Sequence, residues 1–207
     1  MQESGIEEPV RIHIRKKIPV GAGLGGGSSD AAATLVGLNR LFGLRYKNRE
    51  LERLSVSLGT DVPFFVRGSP ARARGIGERL SPLKSFPKLW LIILYPGIPV
   101  STAWVYKKFS SKLTKPIVNT SITSLLGSPA DLRKLLLNDL ESITVDRYPV
   151  IGSLKEKLIQ QGAVGALMSG SGSSVFGLFN SRQKALKAFR RLRKEEGVEA
   201  FLVQVVS

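Results

Sequence analysis

The chain has 207 residues, enough for one large domain or two small ones, and its 43% hydrophobic and 23% charged residues are typical of a globular protein rather than a disordered or fibrous one. The absence of cysteine excludes disulfides, thiolate nucleophiles and cysteine-ligated metal centres, and a single histidine excludes a site built from several histidines. Lysine and arginine outnumber aspartate and glutamate by 31 to 16, and the resulting net charge of +15 favours a polyanionic or phosphorylated partner. No apolar run approaches the ~20 residues of a membrane helix, and the acidic N-terminus does not resemble a signal peptide, so we expect a cytoplasmic protein.

The first predicted elements are a strand, a glycine-rich loop and a helix. Apolar and polar residues alternate over residues 10–15, which predicts a half-buried strand with His13 on its solvent side. Residues 19–32 follow, with five glycines in seven positions. Residues 28–30, Ser-Ser-Asp, are suitable N-cap residues, and the apolar side chains after them recur at helical spacing until Gly43. The pattern predicts a glycine-rich loop that opens directly into a helix.

A second helix and a hairpin are predicted next. Asn48 is a suitable cap for a helix over about 49–58, and Gly59 ends it. Asp61 stands two residues before a proline and marks a short helix start or a turn. Small and charged residues then alternate around two glycines, which predicts a strand and hairpin over 69–80.

The stretch 81–87, rich in serine and proline, is the predicted boundary between two domains, 1–85 and 86–207. In the second half of the chain, apolar runs predict the strands and helical periodicity predicts the helices. The predicted strands are 89–95, 163–168, 174–179 and 200–206, and the predicted helices are 129–140, 150–161 and 181–196.

The first glycine-rich segment has the chemistry of an anion site, because free N–H groups at a helix start attract negative charge and glycines let a phosphate approach the backbone. Gly21-x-Gly23-x-x-Gly26 matches the dinucleotide fingerprint, but no strand ending in an acidic residue follows about 20 residues later. The Gly-Lys-Ser/Thr of a Walker loop and the downstream protein-kinase motifs are also absent. The remaining alternative, a flexible glycine hinge, does not explain Ser-Ser-Asp at the helix start.

Two further features bear on chemistry. A second segment rich in glycine and serine, residues 168–174, lies between two predicted strands and could meet the first across a cleft. Asp61 by itself is best interpreted as a helix N-cap. Near a phosphate loop, however, a carboxylate is also the natural acceptor for a hydroxyl proton in phosphoryl transfer.

The residues resemble a known family. Residues 19–32 are similar to the second motif of the GHMP kinases, Pro-x-x-x-Gly-Leu-Gly-x-x-Ser-Ser, and residues 169–176 are similar to their third motif. Residues 59–65 and 95–102 bring the chain closer to those members that phosphorylate a cytidine diphosphate ester in the synthesis of isoprenoid (terpenoid) precursors. The similarity extends from about Arg11 to the C-terminus.

The resemblance implies an α+β fold, with a partial ribosomal-S5-like N-terminal domain, a ferredoxin-like C-terminal domain, and ATP and substrate between them. It implies a kinase that uses ATP and Mg²⁺ to phosphorylate a small-molecule alcohol, with no nucleic-acid or membrane partner. Two alternatives stay open: another GHMP small-alcohol kinase, of the mevalonate, sugar or homoserine type, and a basic nucleic-acid-binding module.

The resemblance also implies residue roles. Asp61 would be the catalytic base, Tyr106 would stack on the cytosine ring of the substrate, and Ser29 would help to hold Mg²⁺. The residues expected to bind the ATP phosphates are Pro19, Gly21, Gly23, Leu24, Gly25, Gly26, Gly27, Ser28 and Ser29, and those of the third glycine-rich motif are Ser169, Gly170, Ser171 and Gly172.

The chain departs from the family pattern at its N-terminus. Relatives carry a long first segment with a catalytic lysine before the glycine loop, whereas 18 residues precede Pro19 here. Lys16 and Lys17 adjoin the loop but do not match that motif, so the role is not transferred to them. We expect an N-terminally truncated chain with little turnover by itself.

Overall fold

The structure is a computed structural model that describes residues 5, 7–83, 88–110, 133 and 136–205. The chain divides into two compact units. One comprises Met1–Ile18 and Gly25–Lys84, and the other comprises Pro19–Leu24 and Ser85–Ser207. The first residues of the glycine-rich segment therefore group with the second unit, and the family-domain boundaries at 1–85 and 86–207 stay a prediction.

The first unit contains helices and a hairpin. Its helices are α1 (Gly26–Leu41), α2 (Asn48–Ser55), which a 3₁₀ turn at Val56–Leu58 extends, and α3 (Val62–Arg67). Strands β1 (Ala71–Arg74) and β2 (Arg79–Pro82) pair antiparallel, which confirms the predicted hairpin. Ala32, Leu51, Val62 and Val66 are buried together and join the three helices in one apolar cluster.

The N-caps predicted for α1 and α2 are wrong. The N-cap of α1 is Gly25, in the left-handed conformation with φ 65°, rather than one of residues 28–30. The helix can start earlier because glycine adopts this conformation without strain. The N-cap of α2 is Lys47 rather than Asn48, and the Lys47 N–H donates to Glu50 Oε2 at 2.7 Å.

The predicted strand over residues 10–15 is also wrong. These residues form no regular element, and the side chains of residues 11–18 are exposed. An alternating pattern becomes a strand only when another strand pairs with it, and no strand of the described residues lies beside this segment. His13 is exposed, as the sequence predicted.

The second unit is built on an antiparallel sheet. Its elements in chain order are β3 (Trp90–Tyr95), α4 (Thr102–Ser110), α5 (Glu141–Arg147), α6 (Val150–Gln160), β4 (Gly165–Met168), β5 (Val175–Phe179), α7 (Arg182–Leu192) and β6 (Glu199–Gln204). The strand order is β4-β5-β3-β6, the order of a ferredoxin-like sheet. The predicted α+β class is therefore confirmed, as are the four predicted strands and the helices over 150–161 and 181–196, with shifted ends.

The core of this unit lies between the sheet and the helices α6 and α7. Ile92, Ile151, Leu158 and Phe179 are fully buried there. Burial of one such side chain contributes about 1.5–3 kcal/mol to the free energy of unfolding. The core therefore gives the loops at the sheet ends a rigid support.

The sequence analysis assigned helices in this unit imperfectly. Residues 136–140 are not helical, so the end of the predicted helix 129–140 is wrong, and residues 129–132, 134 and 135 lie outside the described part of the chain. The Asn138 side chain accepts from the Leu140 N–H at 3.1 Å, a local bond that competes with helix formation. Helices α4 and α5 were not predicted, and α5 contains the β-branched run Ile-Thr-Val, which has low helix propensity.

Within the described residues, no helix combines the length and the apolar character needed to cross a bilayer.

Candidate active site

The start of α1 has the properties of an anion site. Its N-cap, Gly25, provides no side chain, so the helix start has no side-chain capping hydrogen bond from its own N-cap residue. The first N–H groups of a helix have no partner within the helix, and the helix dipole adds positive potential there. Beside Gly27, the position that a Cβ would take has no atom within 4 Å, so the backbone is accessible at this point.

Asp61 lies at the start of α3 in the same unit. It occupies the N-cap position, but its carboxylate makes no capping hydrogen bond and its side chain is exposed. The N-cap interpretation is therefore correct for the backbone and wrong for the side chain. A carboxylate left free by its own helix can accept a proton from a substrate hydroxyl.

Phe65, one turn further along α3, contacts Gly25. A Cβ at Gly25 would lie 2.8 Å from the Phe65 ring, which is closer than packed atoms allow. The helix that begins after Asp61 is thus packed directly against the N-terminus of α1. The structure brings the predicted base and half of the predicted phosphate loop together in one unit.

Lys16 adds a cation to the start of α1. Its Nζ donates to Asp30 Oδ2, and it lies 3.3 Å from the position of a Cβ at Gly26. Asp30 therefore forms an ion pair instead of an N-cap. The two side chains are about one-third exposed, so the pair contributes little to stability.

The two glycine-rich segments meet within the second unit. The Ser174 N–H donates to the Ala22 carbonyl at 3.2 Å, and the Ser169 hydroxyl donates to the Gly23 carbonyl at 2.9 Å. A Cβ at Gly23 would lie only 2.1 Å from the Ser169 carbonyl oxygen. Only glycine fits there, because the two backbones touch.

The sequence analysis missed the residues that hold the third motif. Asn138 Nδ2 donates to the carbonyls of Met168 at 2.9 Å and Gly170 at 2.8 Å, and Glu141 Oε2 accepts from the Met168 N–H at 2.9 Å. Thr144 Oγ1 donates to the Ser171 carbonyl at 3.1 Å. The sequence signal is the run Asn-Asp-Leu-Glu, most of which falls at the end of the predicted helix 129–140.

Residues 95–102, one of the stretches that carried the family resemblance, join the same cluster. The Val100 N–H donates to the Gly21 carbonyl at 3.0 Å, and the hydroxyls of Thr102 and Ser171 share a hydrogen bond at 2.9 Å. Tyr106 lies one turn after Thr102 on α4 and therefore on the same helix face. Its ring is 56% exposed and free to contact a ligand.

Among the described residues, no cluster of three or more histidines or acidic side chains could hold a metal ion by itself. Ser29 is half-buried in the first turn of α1, and its N–H donates to the Gly25 carbonyl at 2.9 Å. Mg²⁺ is commonly held by one or two protein groups together with substrate phosphates. The Ser29 hydroxyl is the group of this site that could serve as such a protein ligand.

Comparison with known proteins gives the class. The family description "GHMP kinases N terminal domain" matches residues 1–69, and "GHMP kinases C terminal" matches residues 122–198. A solved homoserine kinase from Cytophaga hutchinsonii shares the fold, with a TM-score of 0.66 at 21% identity over 92% of this chain and 68% of its own. The chain belongs to the GHMP kinase family.

Three similar proteins within that family are named for the same substrate. The 4-diphosphocytidyl-2-C-methyl-D-erythritol kinase of Geobacter metallireducens is 53% identical over 88% of this chain and 64% of its own length. That of Citrifermentans bemidjiense is 49% identical over 99% of this chain and 71% of its own. A crystal structure titled 4-(cytidine 5'-diphospho)-2C-methyl-D-erythritol kinase matches 93% of this chain and 69% of its own, with a TM-score of 0.77 at 35% identity. The chain thus spans about two-thirds of the length of these relatives.

Proposed function

We propose that this protein is a kinase that transfers the γ-phosphoryl group of ATP to the 2-hydroxyl of 4-diphosphocytidyl-2-C-methyl-D-erythritol, in the synthesis of isoprenoid precursors. The names of relatives at 45–53% identity support the substrate. The observation that carries the proposal is the contact of Phe65 with Gly25, because it joins the helix bearing Asp61 to an uncapped helix start. The proposal places the protein in the cytoplasm.

The start of α1 would bind the ATP phosphates. Its free N–H groups and dipole favour the negative charge that spreads over the phosphoryl oxygens during transfer. The Lys16 ammonium group lies beside Gly26 and is paired with Asp30, and a phosphate at this helix start would compete with Asp30 for it. The Gly21 and Gly23 segment and residues 169–172 hold one another through backbone contacts, which supports a second, preorganised glycine surface for the nucleotide.

Asp61 would act as the general base. The 2-hydroxyl of the substrate is tertiary and weakly acidic, so attack on phosphorus is easier when a positioned carboxylate accepts its proton. The hydroxyl oxygen then forms the new P–O bond, the bond from the γ-phosphorus to ADP breaks, and the proton resides on Asp61. The exposed and uncapped carboxylate is available for this step.

Each unit offers a further group for the proposed ligands, one for Mg²⁺ and one for the cytidine group. Ser29 and the adjoining Ser28 provide hydroxyls near the start of α1, and bound Mg²⁺ would neutralise phosphate charge. Tyr106 offers an exposed ring for stacking on the cytosine. ATP and the diphosphate ester are anionic, so the net charge of +15 is consistent with small-molecule partners.

The test is ADP release from Mg²⁺-ATP in the presence of a panel of alcohols: 4-diphosphocytidyl-2-C-methyl-D-erythritol, mevalonate, homoserine and galactose. We expect ADP release with the cytidine ester only. ADP release that depends on one of the other alcohols would identify that alcohol as the substrate instead. No ADP release with any of the four alcohols, either by this chain or by a form extended at its N-terminus to the length of the relatives, would contradict the kinase activity.

A further inference from the structure

The turn between β1 and β2 lies against the Asp61 segment in the first unit. The position of a Cβ at Gly77 is 3.2 Å from the Thr60 carbonyl oxygen and 3.7 Å from Asp61 Oδ1. Gly77 has φ 118°, a conformation that side chains rarely adopt. The backbone angle therefore favours glycine, and a Cβ here would press on the Thr60 carbonyl while it reached van der Waals contact with the Asp61 carboxylate.

The turn is fixed by its own contacts. The Ile76 N–H donates to Glu78 Oε2 at 2.9 Å, and the Gly77 N–H donates to the Arg74 carbonyl at 3.2 Å. At Gly75, the position of a Cβ lies 2.5 Å from Glu78 Oε1, so the Glu78 carboxylate folds back over the turn. A turn held in this way presents a constant surface to its neighbour.

Asp61 needs such a neighbour. A catalytic base is ordinarily oriented by a further group, yet among the described residues none donates a hydrogen bond to the Asp61 carboxylate. We propose that Gly77 is a positioning residue: by lacking a Cβ, it lets the hairpin turn lie against Thr60 and Asp61 and hold the carboxylate in the orientation that accepts the substrate proton. This inference rests on the proposed function of Asp61.

The first test compares Gly77→Ala with Gly43→Ala in the full chain. Gly43 also has a positive φ, 59°, but no atom lies within 4 Å of the position of its Cβ. The control therefore introduces a positive φ without the contact, at an angle that is less strained for alanine than 118°. The double-mutant cycle below separates the remaining strain from the contact. We expect Gly77→Ala to lower kcat about 10- to 100-fold with the KM for ATP unchanged, and Gly43→Ala to leave kcat within about twofold. Equal effects of the two substitutions would overturn the proposal.

A double-mutant cycle separates positioning from a general structural defect. If Gly77 acts through Asp61, adding Gly77→Ala to Asp61→Asn causes no further loss of the residual rate. A structural defect would lower the rate by the same factor in both backgrounds, and that result would overturn the proposal. Glu78→Ala, which removes the acceptor of the Ile76 N–H without adding a Cβ, should give the same pattern with a smaller loss.

A readout without turnover distinguishes this proposal from the kinase assignment. In protein labelled with ¹³C at the aspartate carboxyl carbons, Asp61→Asn identifies the Asp61 resonance. We expect that resonance to move in Gly77→Ala and to stay in place in Gly43→Ala. If neither the parent chain nor a form extended at its N-terminus to the length of the relatives phosphorylates an alcohol, the proposed function fails. An unmoved Asp61 resonance would separately overturn the role of Gly77.

Discussion

Gly25 and Phe65 are in such close contact that a Cβ on the glycine would lie 2.8 Å from the aromatic ring. Gly25 is the N-cap of α1, with φ 65°, and Phe65 lies on α3, which begins just after Asp61. The contact sets the distance between the start of one helix and the start of the other. A bound phosphate and the base keep the geometry that the reaction needs only if that distance is constant.

The first prediction concerns this contact. Gly25→Ala should lower the free energy of unfolding by about 1–2 kcal/mol from the left-handed backbone angle alone, with a further loss from the clash with Phe65. Urea denaturation measures the change, and Gly43→Ala is the matched control with a similar φ and no neighbour. Adding Phe65→Leu should recover part of the difference. If Gly25→Ala and Gly43→Ala cost the same, the contact is not important.

The second prediction concerns the bond between the glycine-rich segments. Ser169→Ala removes the donor to the Gly23 carbonyl, so we expect a loss of about 1 kcal/mol in unfolding free energy. We also expect a several-fold rise in the KM for ATP, because the first segment loses its support. Ser153, exposed on α6, provides the control. Ser153→Ala should change neither quantity, and an equal KM for the two variants would contradict the proposed nucleotide surface.

The third prediction concerns Asn138. Asn138→Ala leaves the carbonyls of Met168 and Gly170 without their donor and should cost about 1–3 kcal/mol in urea denaturation. Asn138→Asp should cost at least as much, because a carboxylate oxygen would then face two carbonyl oxygens. The exposed neighbour Asp139 provides the control, and Asp139→Ala should be neutral. A stable Asn138→Asp variant would contradict the hydrogen-bond assignment.

The fourth prediction concerns Tyr106. Stacking of a base on an aromatic ring contributes about 1–3 kcal/mol, so Tyr106→Ala should raise the KM for the cytidine ester at least several-fold. Tyr106→Phe keeps the ring and should behave like the parent. The KM for ATP and the thermal unfolding midpoint should stay constant, because the ring is 56% exposed. An equal rise of this KM in Tyr106→Phe would show that the hydroxyl, rather than stacking on the ring, binds the ester.

Local patterns in the sequence were enough to place most elements and to single out the two glycine-rich segments. Apolar runs predict the strands β3 to β6 correctly, because these runs are buried in one sheet. Gly43 predicts the end of α1 correctly, because glycine tolerates the positive φ that follows a helix. These features depend on residues that are near one another in the chain. The family resemblance added roles that local patterns alone cannot assign.

The errors arose where distant residues decide the structure. Residues 10–15 have the alternation of a strand, but no described strand pairs with them. Helix α5 has low propensity and is held by the burial of Ile143 and Thr144. Asn138 and Gly77 act on segments that lie far away in the sequence, so no motif spacing points to them.

The most direct test of the account is the effect of Asp61→Asn on transfer of phosphate from Mg²⁺-ATP to 4-diphosphocytidyl-2-C-methyl-D-erythritol, followed by ³¹P NMR of the new phosphomonoester. Asp61 is exposed and makes no capping bond, so the substitution should change the unfolding free energy by no more than about 0.5 kcal/mol. We predict product formation, slow in the parent chain and faster in a form extended at its N-terminus to the length of the relatives. In either form we predict a rate about 10²- to 10⁴-fold lower with Asp61→Asn and an unchanged rate with the control Asp139→Asn. Equal rates in the parent and Asp61→Asn would contradict the account.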